Sequence, residues 1–152
     1  MTSTISIRKA VAADAGTIVD FNVAMAQETE DKGLDRELVT KGVQAVIEDP
    51  GKGFYLLAEF EGRIVGQLMV TFEWSDWRNG NFWWIQSVYV LPEFRGKKIF
   101  SILYREVEAM AKRQGGVPGL RLYVEKDNSV ARKVYVNMGM SESDYRMYEV
   151  EF

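Results

Sequence analysis

Val88-Tyr-Val-Leu-Pro-Glu-Phe-Arg-Gly-Lys-Lys-Ile-Phe100 is an apolar strand running into a short basic turn with one glycine, and then into a helix. The strand ends near Leu91, because Pro92 removes a ladder donor. Beyond the turn Arg95-Gly96-Lys97-Lys98, Ile99, Leu103, Val107 and Met110 recur at i, i+4, i+8 and i+11, the spacing of one helix face. The first turn of a helix carries N–H groups without intrahelical partners and the positive end of the macrodipole, so it can hold a phosphate. Three cationic side chains at the same place reinforce that. Taken alone, the stretch reads equally well as an ordinary strand–turn–helix with a solvated basic cap.

A second segment narrows the choice. Residues 125–140 read as a helix with an N-cap at Asp127 or Asn128 and a C′ glycine at Gly139. Val130, Val134 and Met138 form one stripe suited to core packing. Asn128, Ala131 and Tyr135 fall at i, i+3 and i+7, which places a polar cap, a small residue and a phenol on a neighbouring face. Such a face can present an O–H to a ligand; a half-buried tyrosine on an amphipathic helix is the plain alternative.

Together the two segments resemble the GNAT family of N-acetyltransferases. In that family a strand–loop–helix with the pattern Gln/Arg-x-x-Gly-x-Gly/Ala cradles the pyrophosphate of acetyl-coenzyme A. A later Asn-x-x-Ala-x-x-x-Tyr-x-x-x-Gly-Phe/Met segment completes the site. The first pattern falls on Arg95 to Phe100, and the second on Asn128, Ala131, Tyr135, Gly139 and Met140. Lys98 and Phe100 depart from it, standing where the family has small residues. If the loop is the first turn of a right-handed helix, any L-residue can adopt the conformation. Lys98 then adds a charge where a dianion is wanted, and Phe100 turns toward the core.

Bulk properties agree with a small enzyme and exclude several rivals. With 152 residues, 47% apolar and 27% charged, the chain reads as one globular domain over 1–152. It has no cysteine and no histidine, so disulfides, a thiolate nucleophile, a serine–histidine triad and a histidine base are ruled out, and no metal is expected. The N-terminal residues show no apolar signal region and no run of about eighteen apolar residues occurs, pointing to a soluble, cytoplasmic protein without a membrane partner. A net charge of −3 argues against nucleic acid.

Ser3 to Arg8 alternates as a first strand, and two helices are expected over Ala12 to about Glu30 and over Leu34 to Glu48. Phe54 to Phe60 and Arg63 to Glu73 form a hairpin through Glu61-Gly62. Phe82 to Leu91 is apolar on both faces and therefore central. Leu120, Leu122 and Val124 alternate as a fifth strand, and Tyr145 to Phe152 reads as a closing one. The order β-α-α-β-β-β-α-β-α-β is a mixed, mostly antiparallel α/β (α+β) sheet, which is the family's arrangement. The β-α-β crossover makes the fourth and fifth strands parallel.

The resemblance implies a function: an acetyl-coenzyme A-dependent N-acetyltransferase, in which a primary amine attacks the thioester directly through a tetrahedral intermediate. The fourth and fifth strands splay in the family, and the pantetheine arm bonds the backbone of the fourth, here Val88, Tyr89 and Val90. The pyrophosphate rests on Arg95, Gly96, Lys97, Lys98, Ile99, Phe100 and Ser101, and Asn128 and Tyr135 complete the site. Tyr135 resembles the family's general acid; a phenol near pKa 10 is protonated at neutral pH and can donate to a thiolate leaving group. Many relatives place a carboxylate base on the fourth strand, but Phe82 to Leu91 contains none. Glu28 is the candidate base, and Glu30, Glu73, Asp76, Trp84 and Gln86 are candidates for contact with a small-molecule amine or an exposed amino group. Trp74, Trp77, Phe82, Trp83, Trp84 and Tyr89 crowd this region, as core by default, as an aromatic wall for a cation or as a dimer contact. The family often dimerises, so a homodimer is one option. Lys98, Phe100 and the missing strand carboxylate also admit a non-catalytic acyl-coenzyme A-binding module of the same fold.

Overall fold

The structure, a computed structural model, describes residues 4–152. It divides into two compact units, one reaching to Leu122 and the other spanning Tyr123–Phe152. In the first, β1 (Ser6–Lys9), α1 (Ala15–Glu30) and α2 (Arg36–Glu48) precede β2 (Gly53–Phe60), β3 (Arg63–Ser75), β4 (Gly80–Val90), α3 (Ile99–Gln114) and β5 (Leu120–Arg121). The second contains α4 (Ser129–Asn137).

Local chemistry accounts for most boundaries. Asp35 caps α2 by accepting the N–H groups of Glu37 at 3.1 Å and Leu38 at 3.3 Å. Glu61 and Gly62 both take positive φ, 51° and 78°, which matches the right-handed twist of the strands they join as a two-residue hairpin. A short 3₁₀ turn over Ala12–Asp14 leads into α1; Asp14 folds back onto the Val11 N–H at 2.7 Å and pairs with Arg8 at 2.8 Å.

The sheet runs in the order β1-β2-β3-β4-β5, antiparallel until the last pair, where β4 and β5 are parallel. This is the mixed α/β architecture expected from the sequence. Two extents differ. The fifth strand stops at Arg121, and residues 145–152 carry no strand. A period-2 pattern becomes a strand only where a neighbouring ladder receives it, and Tyr145, Met147, Tyr148 and Val150 are instead largely exposed. At the other end, the expected first strand included Ser3, which lies outside the described residues.

Alternation sorts the sheet into two faces. On one, Tyr55 and Leu57 pack with Ile18 and Val19 of α1 and Val43 of α2, with Met69 against them. That face also takes Gln67 and, by parity, Thr71 and Glu73. On the other, Leu56, Leu68 and Val70 lie beneath the buried Ile99, Leu103 and Val107 of α3. Each such side chain contributes roughly 1.5–3 kcal/mol when taken out of water. The two faces thus anchor α1 and α3 at the same end of β4.

Candidate active site at the end of the fourth strand

The β3–β4 ladder slips by one residue: Gly66 faces Val90 and Gln67 faces Tyr89, but Met69 faces Gln86. Ser87 and Val88 therefore oppose Leu68 together, a β-bulge, and Ser87 takes φ 51°. On its other side β4 is joined by β5 only at Trp83 and Trp84. Past Leu91 a 3₁₀ turn, Pro92–Phe94, leads to Arg95, whose Nε donates to the Val90 carbonyl at 2.9 Å.

The next residues correct the sequence reading. Arg95–Lys98 is not the opening turn of a right-handed helix: Gly96 has φ 77° and Lys98 has φ 63°, ψ 25°, both left-handed, and α3 begins only at Ile99. The chain reverses between the 3₁₀ turn and α3, and left-handed residues make that reversal. For a lysine this conformation costs about 1–2 kcal/mol, which explains why a small residue suits the position. Lysine also has no acceptor atom, so its side chain cannot cap α3. Ile99 packs closely on β3: a Cβ on Gly66 would lie 2.9 Å from its Cγ2. Phe100 is half-buried, its ring 6.1 Å from Tyr104.

Glu28, near the end of α1, joins this region. One carboxylate oxygen accepts from the Tyr89 hydroxyl at 2.7 Å, the other from Arg95 Nη2 at 2.7 Å. The Tyr89 ring lies between Phe21, at 5.1 Å, and the Arg95 guanidinium, at 5.4 Å. Hydrogen bonds from Tyr89 and Arg95 hold the Glu28 carboxyl below its ordinary value, whereas burial and then the Glu28 bond raise the Tyr89 phenol.

The remaining candidates are dispersed. Trp84 and Gln86 share the α1 face of β4 with Tyr89. Glu73 opposite accepts from Trp84 Nε1 at 3.2 Å and from Arg121 at 2.6 Å, and Gln86 donates to the Thr71 hydroxyl. Glu30 is exposed as the last residue of α1. Asp76 sits in the turn before β4 and accepts from the Trp77 N–H at 2.9 Å. At about 3.3 Å per residue that turn lies roughly 30 Å from Tyr89. The aromatic cluster divides: Phe82, Trp83 and Tyr89 are buried, while Trp74 and Trp77 are 60% and 87% exposed.

In the second unit Asn128 is the N-cap of α4, its Oδ1 accepting the Ala131 N–H at 3.1 Å. The helix ends in a Schellman motif: Met140 N–H bonds the Tyr135 carbonyl at 3.1 Å and Gly139 N–H bonds that of Val136 at 3.0 Å. Gly139, at φ 97°, supplies the conformation this needs. Tyr135 is half-buried, and burial pushes its phenol above the usual value.

Sequence reasoning passed over Gly66, Gln67 and Asn22, and saw in Ser87 only a polar residue of the fourth strand. A signal existed for the first two: a glycine and a polar residue inside an apolar strand mark a close approach or an internal partner.

The left-handed loop before α3 carries three cationic residues, of which Arg95 is already paired with Glu28, and its N-cap residue has no acceptor of its own. A crystal structure of a possible acetyltransferase from Clostridium difficile 630 superposes with a TM-score of 0.91 at 47% identity, covering 97% of each chain. A predicted acetyltransferase from Clostridium acetobutylicum, solved with acetyl-CoA, shares the fold with a TM-score of 0.80 at 18% identity, over 97% of this chain and 96% of that one. Mycothiol acetyltransferase of Corynebacterium aurimucosum is 28% identical over 124 residues, 79% of this chain; the chain spans only 40% of that relative's length. The profile of the Acetyltransferase (GNAT) family matches residues 18–140. Loop, sheet and profile agree, and the chain belongs to that family.

Proposed function

We propose that this protein is an acetyl-coenzyme A-dependent N-acetyltransferase acting on a small primary amine or an exposed amino group. The observation that carries this reading is the passage from β4 to the start of α3 through a left-handed loop that bears Arg95, Lys97 and Lys98. Amides of Arg95, Gly96, Lys97, Lys98, Ile99, Phe100 and Ser101 would hold the pyrophosphate, and the backbone of Val88, Tyr89 and Val90 would hold the pantetheine arm. Asn128 would serve the site by fixing the start of α4.

The acceptor amine forms the new C–N bond as the C–S bond of the thioester breaks, and Tyr135 would give the leaving sulfur its proton. A phenol raised by burial stays protonated through neutral pH, as a donor must. Glu28 is held by two donors and its proton affinity is lowered, so it suits steering an ammonium group better than taking its proton in one step. Trp84, Gln86 and Glu73 share the face of Tyr89 and are the proposed acceptor floor; Glu30 would add negative charge at its rim. A cationic amine that displaced Arg95 from Glu28 or Arg121 from Glu73 would pair with the charge of these carboxylates.

One observation favours a second reading, a binding module without turnover: β4 carries no carboxylate. Calorimetric titration with acetyl-coenzyme A, against pantetheine and ATP, comes first. Binding in the micromolar range that needs the intact coenzyme supports both readings; no binding overturns both. A thiol-release assay over a panel of amines then separates them. In Tyr135→Phe, turnover should fall by about 10- to 1,000-fold with coenzyme affinity retained.

A further inference from the structure

We propose that Gln67 is a positioning residue: its buried amide holds the Ser87 bulge, and so aims the Val88–Val90 backbone at the acyl-coenzyme. This rests on the acetyltransferase reading above. Gln67 has 0% of its surface exposed, in a strand stretch otherwise apolar from Val65 to Val70 except for Gly66. Its Nε2 donates to the Ser87 carbonyl at 3.0 Å and to Asn22 Oδ1 at 3.0 Å. Asn22, on α1, is itself buried and lies beside the buried Tyr55 of β2, whose phenol burial raises and Asn22 lowers. A polar line thus crosses the core from β2 through α1 and β3 to the single carbonyl at the bulge.

Two features set this apart from ordinary core filling. Ser87 is in the left-handed region, where a non-glycine residue is strained, and strain of this kind persists only if the surroundings over-determine it. Gln67 Oε1 is buried with no protein donor in reach, so the glutamine is a poorer core residue than methionine would be. What the amide does provide is a donor to a peptide that the bulge has turned out of the β3–β4 ladder. A bulge re-aims the groups that follow it, and here those are Val88, Tyr89 and Val90.

The test compares wild type, Gln67→Met and the double variant Gln67→Met/Ser87→Gly. Ligands are acetyl-coenzyme A and its nucleotide end alone, adenosine 3′-phosphate 5′-diphosphate. Gln67→Met keeps the volume and removes the donor. It should bind the nucleotide as wild type does, bind acetyl-coenzyme A at least tenfold more weakly, and turn over at least tenfold more slowly. Glycine at 87 adopts the bulge conformation without the amide's help, so the double variant should recover most of the lost affinity. If Gln67→Met keeps the wild-type ratio of the two affinities and its turnover, the amide only fills space and the proposal fails. If Gln67→Met does not fold, the double variant decides: folding with restored binding supports the buttress, and failure to fold overturns it. Wild-type protein that binds neither ligand would overturn the acetyltransferase reading and this proposal with it. Loss confined to the variant separates the two.

Discussion

Helices α2 and α3 begin in opposite ways. Asp35 closes the start of α2 with its own carboxylate, and Glu37 adds a negative charge in the first turn. Lys98 stands at the corresponding place in α3, left-handed, cationic and without an acceptor, and no acidic residue follows in the first turn. A capping side chain contributes about 1 kcal/mol, and the left-handed lysine costs a similar amount. The chain therefore forgoes roughly 2 kcal/mol at one helix start and not at the other. The difference teaches that α2 is closed by its own side chains, whereas α3 is left open in the way that the proposed coenzyme site requires. The start of α4, closed by Asn128, behaves like α2.

Four experiments would break or sharpen this contrast. The largest effect is expected from Lys98→Asp, which gives α3 the kind of residue α2 has. Acetyl-coenzyme A affinity should fall about 100-fold by charge reversal beside the pyrophosphate, while unfolding free energy rises by up to about 1 kcal/mol through the helix dipole. Parallel losses in both quantities would mean that the loop had merely been damaged. Next is Asp14→Asn, at the closed turn before α1. Arg8 first, and the Val11 N–H as well, hold the Asp14 carboxyl below its ordinary value despite burial. The stabilisation is therefore present in full above the unfolded carboxylate pKa, about 3.9, and is lost as pH falls through the lower folded value. Urea unfolding should show a loss of about 1–3 kcal/mol at pH 7 and a smaller dependence on pH on the acid side.

Gly66→Ala tests the seat of α3. Ile99 must shift to admit the new methyl group, so affinity for acetyl-coenzyme A should drop about tenfold with a stability loss of about 1–2 kcal/mol. The smallest effect belongs to Asp35→Ala. It should cost about 1 kcal/mol of stability and leave coenzyme affinity unchanged; a change in affinity would undo the division of labour between the two helices.

What could be read in the sequence was local. The Glu61-Gly62 turn, the α4 cap and the Gly139 terminus each depend on residues a few positions apart; the turn and the terminus form as expected, and of the two cap candidates Asn128 takes the place. The order of elements followed from periodicity in the same way. Lys98 departs from the expected right-handed turn although its position is local, because a lysine signals no positive φ and only surrounding structure forces it there. The link from Glu28 to Tyr89 and Arg95 spans 61 and 67 positions and has no sequence signature. The slip that makes the Ser87 bulge is likewise a property of two paired strands, not of either one. The closing segment shows the converse: Tyr145 to Phe152 alternates, yet alternation without a partner ladder does not make a strand.

The two-residue partnership of β4 with β5 has a practical side. A central strand whose flank is left without a ladder beyond Trp84 is, to any other extended chain, an invitation to pair. If the proposed pantetheine site is correct, the same backbone groups would suit a stray peptide, and a bound coenzyme would then also guard this edge against self-association at high concentration.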